Sequence, residues 1–266
     1  MVRLVAVDLD GTLLDSNRSI SEENVRAVME ARENGVMVVI ATGRMHCTAV
    51  SATAPIGDDL PIASYNGALL NMTARGPELW RIPVPPSEGG RIARLLFEKG
   101  IAFHAYFDDQ MYAPRMSQYT AEYEAKYGAR SMILEDIDEY GRRESLKYLV
   151  LAAPEELDAV EPVVRSVAGE SLTVMRSQPG LLEIISSRAS KGQALRHLAD
   201  HFGISISETM AIGDSENDID MFSTAGIAVA MGNAPEYVKA ASGFVTGSND
   251  ESGVAMAFRR FGLCGA

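Results

Sequence analysis

The sequence predicts an α/β core with a parallel sheet, interrupted by an inserted α+β unit. Three observations carry that prediction. In the first 82 residues, continuous apolar runs recur with helical patterns between them, as in strands covered on both faces. The pattern changes near Pro83-Val84-Pro85-Pro86, whose prolines read as a linker. From Lys191 the strand–helix alternation resumes. The simplest organisation is a discontinuous core, residues 1–82 and 188–266, with a second domain over 83–187 held by two linkers.

The elements follow in order. Val5-Ala6-Val7 reads as a buried strand, running into two carboxylates, Asp8 and Asp10, and then a glycine turn. Ser21 can cap a helix whose first turn carries Glu22 and Glu23, where acids complement the helix dipole. Val25, Val28 and Met29 continue it at helical spacing, with Arg32 at the edge of the stripe and Gly35 placed to end it. Val36 to Ala41 is a second strand, stopping at Thr42-Gly43-Arg44, and Pro61 to Tyr65 a third, stopping at Asn66-Gly67.

In the inserted unit, Ile92, Leu95, Leu96 and Lys99 fit a helix ended by Gly100. Ile101 to Phe107 and Met111 to Ala113 read as strands around Asp108-Asp109, followed by a tyrosine-rich helix near Tyr119 to Tyr127. Lys147 to Ala153 is a strand and Glu155 to Val167 a helix. Leu172 to Met175 and Leu181 to Ile185 form a hairpin around Gln178-Pro179-Gly180. Paired strands with helices predict a mostly antiparallel layer. Back in the core, Ala194, Leu195, Leu198 and Phe202 make a helical stripe closed by Gly203. Thr209 to Ile212, Ile227 to Ala230 and Gly243 to Val245 are strands, with helices between them.

Composition narrows the function classes. An apolar fraction of 47% with 23% charged residues describes a folded globular chain. A net charge of -12 disfavours nucleic acid and anionic membranes as partners, but not a phosphate ester if a cation sits in the site. Cys47 and Cys264 stand far apart with no C-x-x-C, so neither a disulfide scaffold nor a thiolate zinc site is expected. The first strand begins almost at Met1 without a basic flank, and no apolar run could span a bilayer. A soluble cytoplasmic protein is expected.

Four polar clusters follow apolar strands or open a helix: Asp8 with Asp10; Thr42-Gly43-Arg44; Lys191-Gly192; and Gly213-Asp214-Ser215-Glu216-Asn217-Asp218. In a parallel sheet all four would lie along one edge, outside the carboxyl ends of the strands, where such folds bind ligands. Side chains at i and i+2 of extended chain point the same way, so Asp8 and Asp10 could share one divalent cation. Phosphoryl transfer needs a nucleophile, a metal, positive charge on the phosphoryl oxygens and an acid–base group. Asp8 can be the nucleophile, and Asp10 can protonate the leaving alkoxide and then activate water. Lys191 supplies a cation for phosphate and holds Asp8 ionised. Thr42 donates a hydroxyl hydrogen bond. Asp214 completes an oxygen shell for Mg²⁺, with Asn217 and Asp218 behind it.

Each cluster also has a plainer reading. Asp10-Gly11 fits a strand-ending turn, Thr42 a strand end, and Lys191 a solvated helix start. Gly213-Asp214 fits a turn, Asp218 a helix cap, and Glu216 and Asp220 first-turn charges. An EF-hand is excluded, because Ile219 and Ala225 stand where glycine and glutamate are required. The histidines are scattered. His197 and His201 share an i,i+4 face without an H-E-x-x-H motif, which reads as a surface pair.

Jointly the clusters resemble the haloacid dehalogenase-like hydrolase superfamily, and within it the Cof-type sugar-phosphatase branch with an inserted C2B-type cap. The residues that carry the resemblance are D-L-D-G-T-L-L from Asp8 to Leu14, A-T-G-R from Ala41 to Arg44 and S-Y-N-G-A from Ser64 to Ala68. They continue with S-K-G from Ser190 to Gly192 and G-D-S-E-N-D-I-D-M from Gly213 to Met221. The resemblance implies a Rossmann-like core, Mg²⁺ and an aspartyl-phosphate intermediate. It implies that Asp8 and Asp214 bind the metal by side chain and Asp10 by its backbone carbonyl. Thr42, Gly43 and Lys191 would take phosphate, with Asn217 close by.

The expected activity is Mg²⁺-dependent hydrolysis of small phosphorylated metabolites, sugar or polyol phosphates, by a monomer or homodimer. Arg44, Asn66 and the segment from Arg176 to Glu183 are candidates for contacting the leaving group, with a cap closing over the core edge. Arg176 and Glu183 also have a structural reading, as a solvent-facing residue and a hairpin anchor. Two rival readings stay open: a phosphosugar mutase, which passes phosphate to another hydroxyl, and a non-catalytic metabolite-binding regulator. The intact set of Asp8, Asp10, Lys191 and Asp214 argues against the last, since a binding module needs no nucleophile.

Overall fold

A computed structural model describes residues 1–265. The described residues form two compact units, 1–80 with 189–265 and 81–188. The first half of the first unit contains β1 (Leu4–Val7), α1 (Glu22–Glu33), β2 (Met37–Ala41), α2 (His46–Thr53), β3 (Ile62–Ser64), β4 (Leu69–Asn71) and all but the last residue of β5 (Glu78–Arg81). The second unit contains α3 (Pro86–Glu98), β6 (Ala102–Phe107), β7 (Gln110–Ala113), α4 (Gln118–Tyr127) and β8 (Met132–Ile133), then β9 (Tyr148–Leu151), α5 (Pro154–Ala168), β10 (Leu172–Gln178) and β11 (Leu181–Ser186). The first unit is completed by α6 (Lys191–His201), β12 (Thr209–Gly213), α7 (Ile219–Thr224), β13 (Ile227–Ala230), α8 (Glu236–Ala240), β14 (Phe244–Val245) and α9 (Gly253–Arg260).

The core sheet has the strand order β14-β13-β12-β1-β2-β3-β4-β5. From β14 to β3 its pairs are parallel. The chain leaves β1 toward β2 on one side and returns to β12 on the other, so the strand order reverses at β1. Such a switch point opens a crevice at the carboxyl ends of the strands. Val7 pairs with Ile40 on one side and Ile212 on the other, which brings the residues after β1, β2 and β12 to one level.

Both sheet faces are covered, which is why these strands read as unbroken apolar runs. Val5, Val7, Val38, Ile40 and Ile212 pack with Val28, Val254 and Phe258 of the α1 and α9 layer. Leu4, Ala6, Val39, Ala41 and Ala211 face Leu195, Leu198, Met221 and Val238 of the α6, α7 and α8 layer. Each fully buried branched side chain stabilises the fold by roughly 1.5–3 kcal/mol.

Several local expectations need correction. Helix α1 is capped by Ser21, which accepts from Asn24 N, but its buried face is Asn24, Ala27, Val28 and Ala31, and Met29 is exposed. Asn24 is drawn inside because its Oδ1 accepts from Ala255 N at 2.9 Å, so a polar residue lies on the buried face and shifts the stripe. Pro83 to Pro86 follow the division between the units, and they are anchored to the second one: Val84 is buried and bridges Ser145, and Pro86 opens α3. Phe202 is partly exposed just beyond α6 rather than on its buried stripe. Strands β4 and β5 and helix α2 were not legible, because three or four residues set no period and α2 buries only Ala49 and Thr53.

The second sheet runs β10-β11-β9-β6-β7-β8 and is antiparallel except for β7 with β8. One face, with Phe103, Phe107, Tyr148, Val150, Leu182 and Ile184, packs against Ile92 and Leu96 of α3 and Leu157 and Val164 of α5. The β6–β7 turn holds Asp108 and Asp109 at positive φ, the geometry of a two-residue hairpin. Among the described residues, no helix is long and apolar enough to cross a membrane.

Candidate active site

The site is built at the switch point. Strand β1 ends at Val7, and Asp8 follows with its backbone N–H still bonded to Ile212 O (3.0 Å) and its carboxylate buried. The chain then turns, with Leu13 N donating to Asp8 O and Leu14 N to Leu9 O. Because extended geometry stops at Val7, the side chains of Asp8 and Asp10 part company. Arg44 donates to Asp10 through Nε (2.7 Å) and Nη2 (2.6 Å), and the Asp10 side chain is 57% exposed. The expectation that both side chains share one cation is therefore not met. The acids gathered around Asp8 are Asp214 and Asp218, each offering an oxygen within 4.8 Å of the others.

Lys191 is the first residue of α6, whose N-cap Ser190 accepts from Gln193 N (3.1 Å). Its buried ammonium donates to Asp8 Oδ1 and to Asp218 Oδ1, both at 2.6 Å. Asp218 organises the loop after β12. Its Oδ2 accepts from Asp214 N and Ser215 N, both at 2.9 Å, and from Ser215 Oγ (3.2 Å). Thr12 Oγ1 donates to Asp214 Oδ1 (2.9 Å), a contact the sequence did not signal.

On the other side, Thr42 N bonds Ala63 O, continuing the β2–β3 ladder, and Thr42 Oγ1 accepts from Arg44 N (3.2 Å). Asn66, buried with left-handed φ, donates N–H to Thr42 O and accepts at Oδ1 from Asn217 Nδ2 (2.9 Å). Gly43 lies against the Asn66 amide, and Asn217 Oδ1 accepts from Ser215 Oγ (2.6 Å). The structure thus draws Thr42, Gly43, Arg44 and Asn66 into one network beside Asn217, and Asp8, Lys191, Asp214 and Asp218 into another. Asp220 is not merely a first-turn charge, since its Oδ2 accepts from Gly192 N (2.9 Å).

Arg176 and Glu183 lie in the second unit. Arg176 Nε donates to Glu161 and Nη2 to Asp158, both at 2.7 Å, so its guanidinium is tied to α5 rather than facing solvent unpaired. Glu183 pairs with Lys147 at 3.3 Å, both buried. In the β10–β11 register Arg176 stands opposite Leu182 and Met175 opposite Glu183. By the two-residue strand period, Arg176 therefore shares the face of Leu182 that packs on α5, and Glu183 takes the other face. One leaving group touched by both is not what this register provides.

The electrostatics set a condition for the site. Burial pushes the Asp8 carboxyl well above the usual range; Lys191 opposes that rise, and Asp218 and Asp214 add to it. Burial and then Asp218 push Asp214 up to about 6, against the Thr12 hydrogen bond and Lys191. Burial disfavours the charge on Lys191, but Asp218 and Asp8 together outweigh it and hold the ammonium above its ordinary range. Three crowded carboxylates carry more negative charge than one ammonium offsets. An all-oxygen donor set in that condition fits a hard divalent cation.

The model for the haloacid dehalogenase-like hydrolase family matches residues 5–258. The phosphatase YwpJ of Bacillus subtilis is 32% identical over 96% of this chain and 98% of its own. The 5-amino-6-(5-phospho-D-ribitylamino)uracil phosphatase YwtE of the same organism is 32% identical over 96% of each chain. The crystal structure of TM0651 from Thermotoga maritima superimposes with a TM-score of 0.89 at 31% identity, covering 98% of this chain and 97% of that one.

Proposed function

The chain belongs to the haloacid dehalogenase-like hydrolase family, and we propose that it is a metal-dependent phosphatase of small sugar or polyol phosphates acting through an aspartyl-phosphate. The observation that carries this reading is the buried Lys191 ammonium bridging Asp8 and Asp218 beside Asp214. A binding module has no reason to sustain such a costly burial of charge. The relative named for a phosphoribitylamino substrate supports the polyol side of the reading.

In this reading Asp8 attacks phosphorus, and the bond from phosphorus to the ester oxygen breaks as the aspartyl-phosphate forms. Asp10 gives the departing alkoxide a proton and later takes one from the attacking water. Inorganic phosphate then leaves, and the Asp8 carboxylate is restored. Asp10 can serve only when its bidentate pair with Arg44 opens, so Arg44 is placed to exchange Asp10 for substrate oxygen. Thr42 already accepts from Arg44 N, which leaves its hydroxyl proton to donate to a phosphoryl oxygen, beside the Gly43 backbone. Lys191 supplies fixed positive charge to the same oxygens. Asp8 and Asp214, with the Asp10 carbonyl, would hold Mg²⁺, and Asp218 would hold the loop that presents Asp214. The cation, when bound, supplies charge that offsets repulsion between nucleophile and substrate.

The test is phosphate release from sugar, polyol, nucleotide and aryl phosphates, with Mg²⁺ and with EDTA, beside Asp8→Asn. Release that needs Mg²⁺ and disappears in the variant is expected. Turnover persisting in folded Asp8→Asn would remove the nucleophile from this reading. Transfer of phosphate to a second sugar hydroxyl instead of water would make the protein a mutase.

A further inference from the structure

We propose that Asp220 is a positioning residue for Lys191, fixing the helix start from which the ammonium reaches the phosphoryl site; this rests on the phosphatase reading above. The tip of Lys191 is held by Asp8 and Asp218 at 2.6 Å each. A four-carbon stem has many rotamers, so the tip is well placed only if its root is fixed too. The root lies in the first turn of α6, where backbone N–H groups lack partners within the helix. Ser190 Oγ satisfies Gln193 N, and Asp220 Oδ2 satisfies Gly192 N at 2.9 Å.

Asp220 comes from α7, two residues after Asp218. One short segment therefore grips the same lysine twice, by its ammonium through Asp218 and by the next peptide N–H through Asp220. A carboxylate at a helix N-terminus is favoured by the dipole as well as by the hydrogen bond. The approach is close: a Cβ at residue 192 would stand 2.3 Å from Asp220 Oδ2 and 2.7 Å from its carbonyl oxygen. Glycine at 192 lets α7 come this near. Lys191 and the loop carrying Asp214 and Asp218 are thereby coupled through backbone as well as through charge.

The test compares Asp220→Ala, which removes the acceptor, and Asp220→Ser, whose hydroxyl oxygen sits one bond nearer the backbone and falls short of Gly192 N, with Asp220→Asn, which keeps an oxygen in reach. KM, kcat and the inhibition constant for inorganic phosphate are measured at saturating Mg²⁺, with Tm beside them. Loss of the acceptor should raise KM and the phosphate constant together by about tenfold, with a smaller change in kcat. Asp220→Asn should recover most of the affinity. Folded Ala and Ser variants with wild-type KM and phosphate constant would overturn the proposal, whatever their Tm. So would failure of both to fold, since Asp220 would then be a general stability residue. If the wild type hydrolyses no ester, the phosphatase reading fails while this one is still read from the rise in Tm that inorganic phosphate produces. The wild-type rise should then shrink in Ala and Ser, and equal rises would overturn the proposal.

Discussion

The site is a charge balance around one buried lysine, and its residues differ in how far sequence could find them. Asp8, Lys191 and Asp214 were legible because each stands at the end of an apolar run or the start of a helical stripe. Thr12 and Asp220 were not, because their meaning lies in partners 202 and 28 residues away, Asp214 and Gly192. Lys191→Met keeps most of the stem and removes the ammonium, leaving Asp8, Asp214 and Asp218 facing one another. Breaking a buried pair in this way should cost about 3 kcal/mol or more in metal-free urea unfolding, with part recovered on adding Mg²⁺. A variant as stable as wild type without metal would contradict the balance.

At the level of elements, the strands β1, β2 and β12 were legible because burial on both faces leaves an unbroken apolar run. The face of α1 was not, because a buried asparagine bonded across to Ala255 N has no apolar signature. The end of β12 is set by a close approach: a Cβ at Gly213 would stand 2.4 Å from Asp218 Cγ and 2.5 Å from its Oδ2. Gly213→Ala must displace either the strand end or the carboxylate that holds Lys191, Asp214 N and Ser215 N. A stability loss of about 1–3 kcal/mol is expected in thermal unfolding, together with a far larger fractional loss of phosphate release. Retention of full activity would show that Asp218 can yield without consequence.

Across the whole molecule, each unit has its own apolar core, and the second carries an acid-sensitive group. His104 on β6 is buried, edge-on to Tyr123 (5.2 Å) and 3.5 Å from Ser131 Oγ. Burial pushes it down to about 4 from 6.5; Glu124 opposes this, and Lys147 adds to it. A depressed histidine stays neutral in the folded state while the unfolded chain takes up a proton. Its stabilising contribution is therefore complete above pH 6.5 and is lost as pH falls toward 4, about 3 kcal/mol in all. Hydrogen exchange of the β6 and β9 amides across that range should show the loss, and His104→Phe should flatten it. An equally steep acid limb in the variant would place the cause elsewhere. The sequence by itself determined the longer apolar strand runs, the starts of α1 and α6 and the residue types of the four clusters, because hydrophobic period and capping are local properties of the chain. The tertiary structure alone decided that Asp10 faces Arg44, that Asp218 joins Asp8 and Asp214, that Asp220 grips the root of Lys191, and that Arg176 and Glu183 take opposite faces. Those pairings depend on strand register and on how helices approach one another, and no local spacing encodes either.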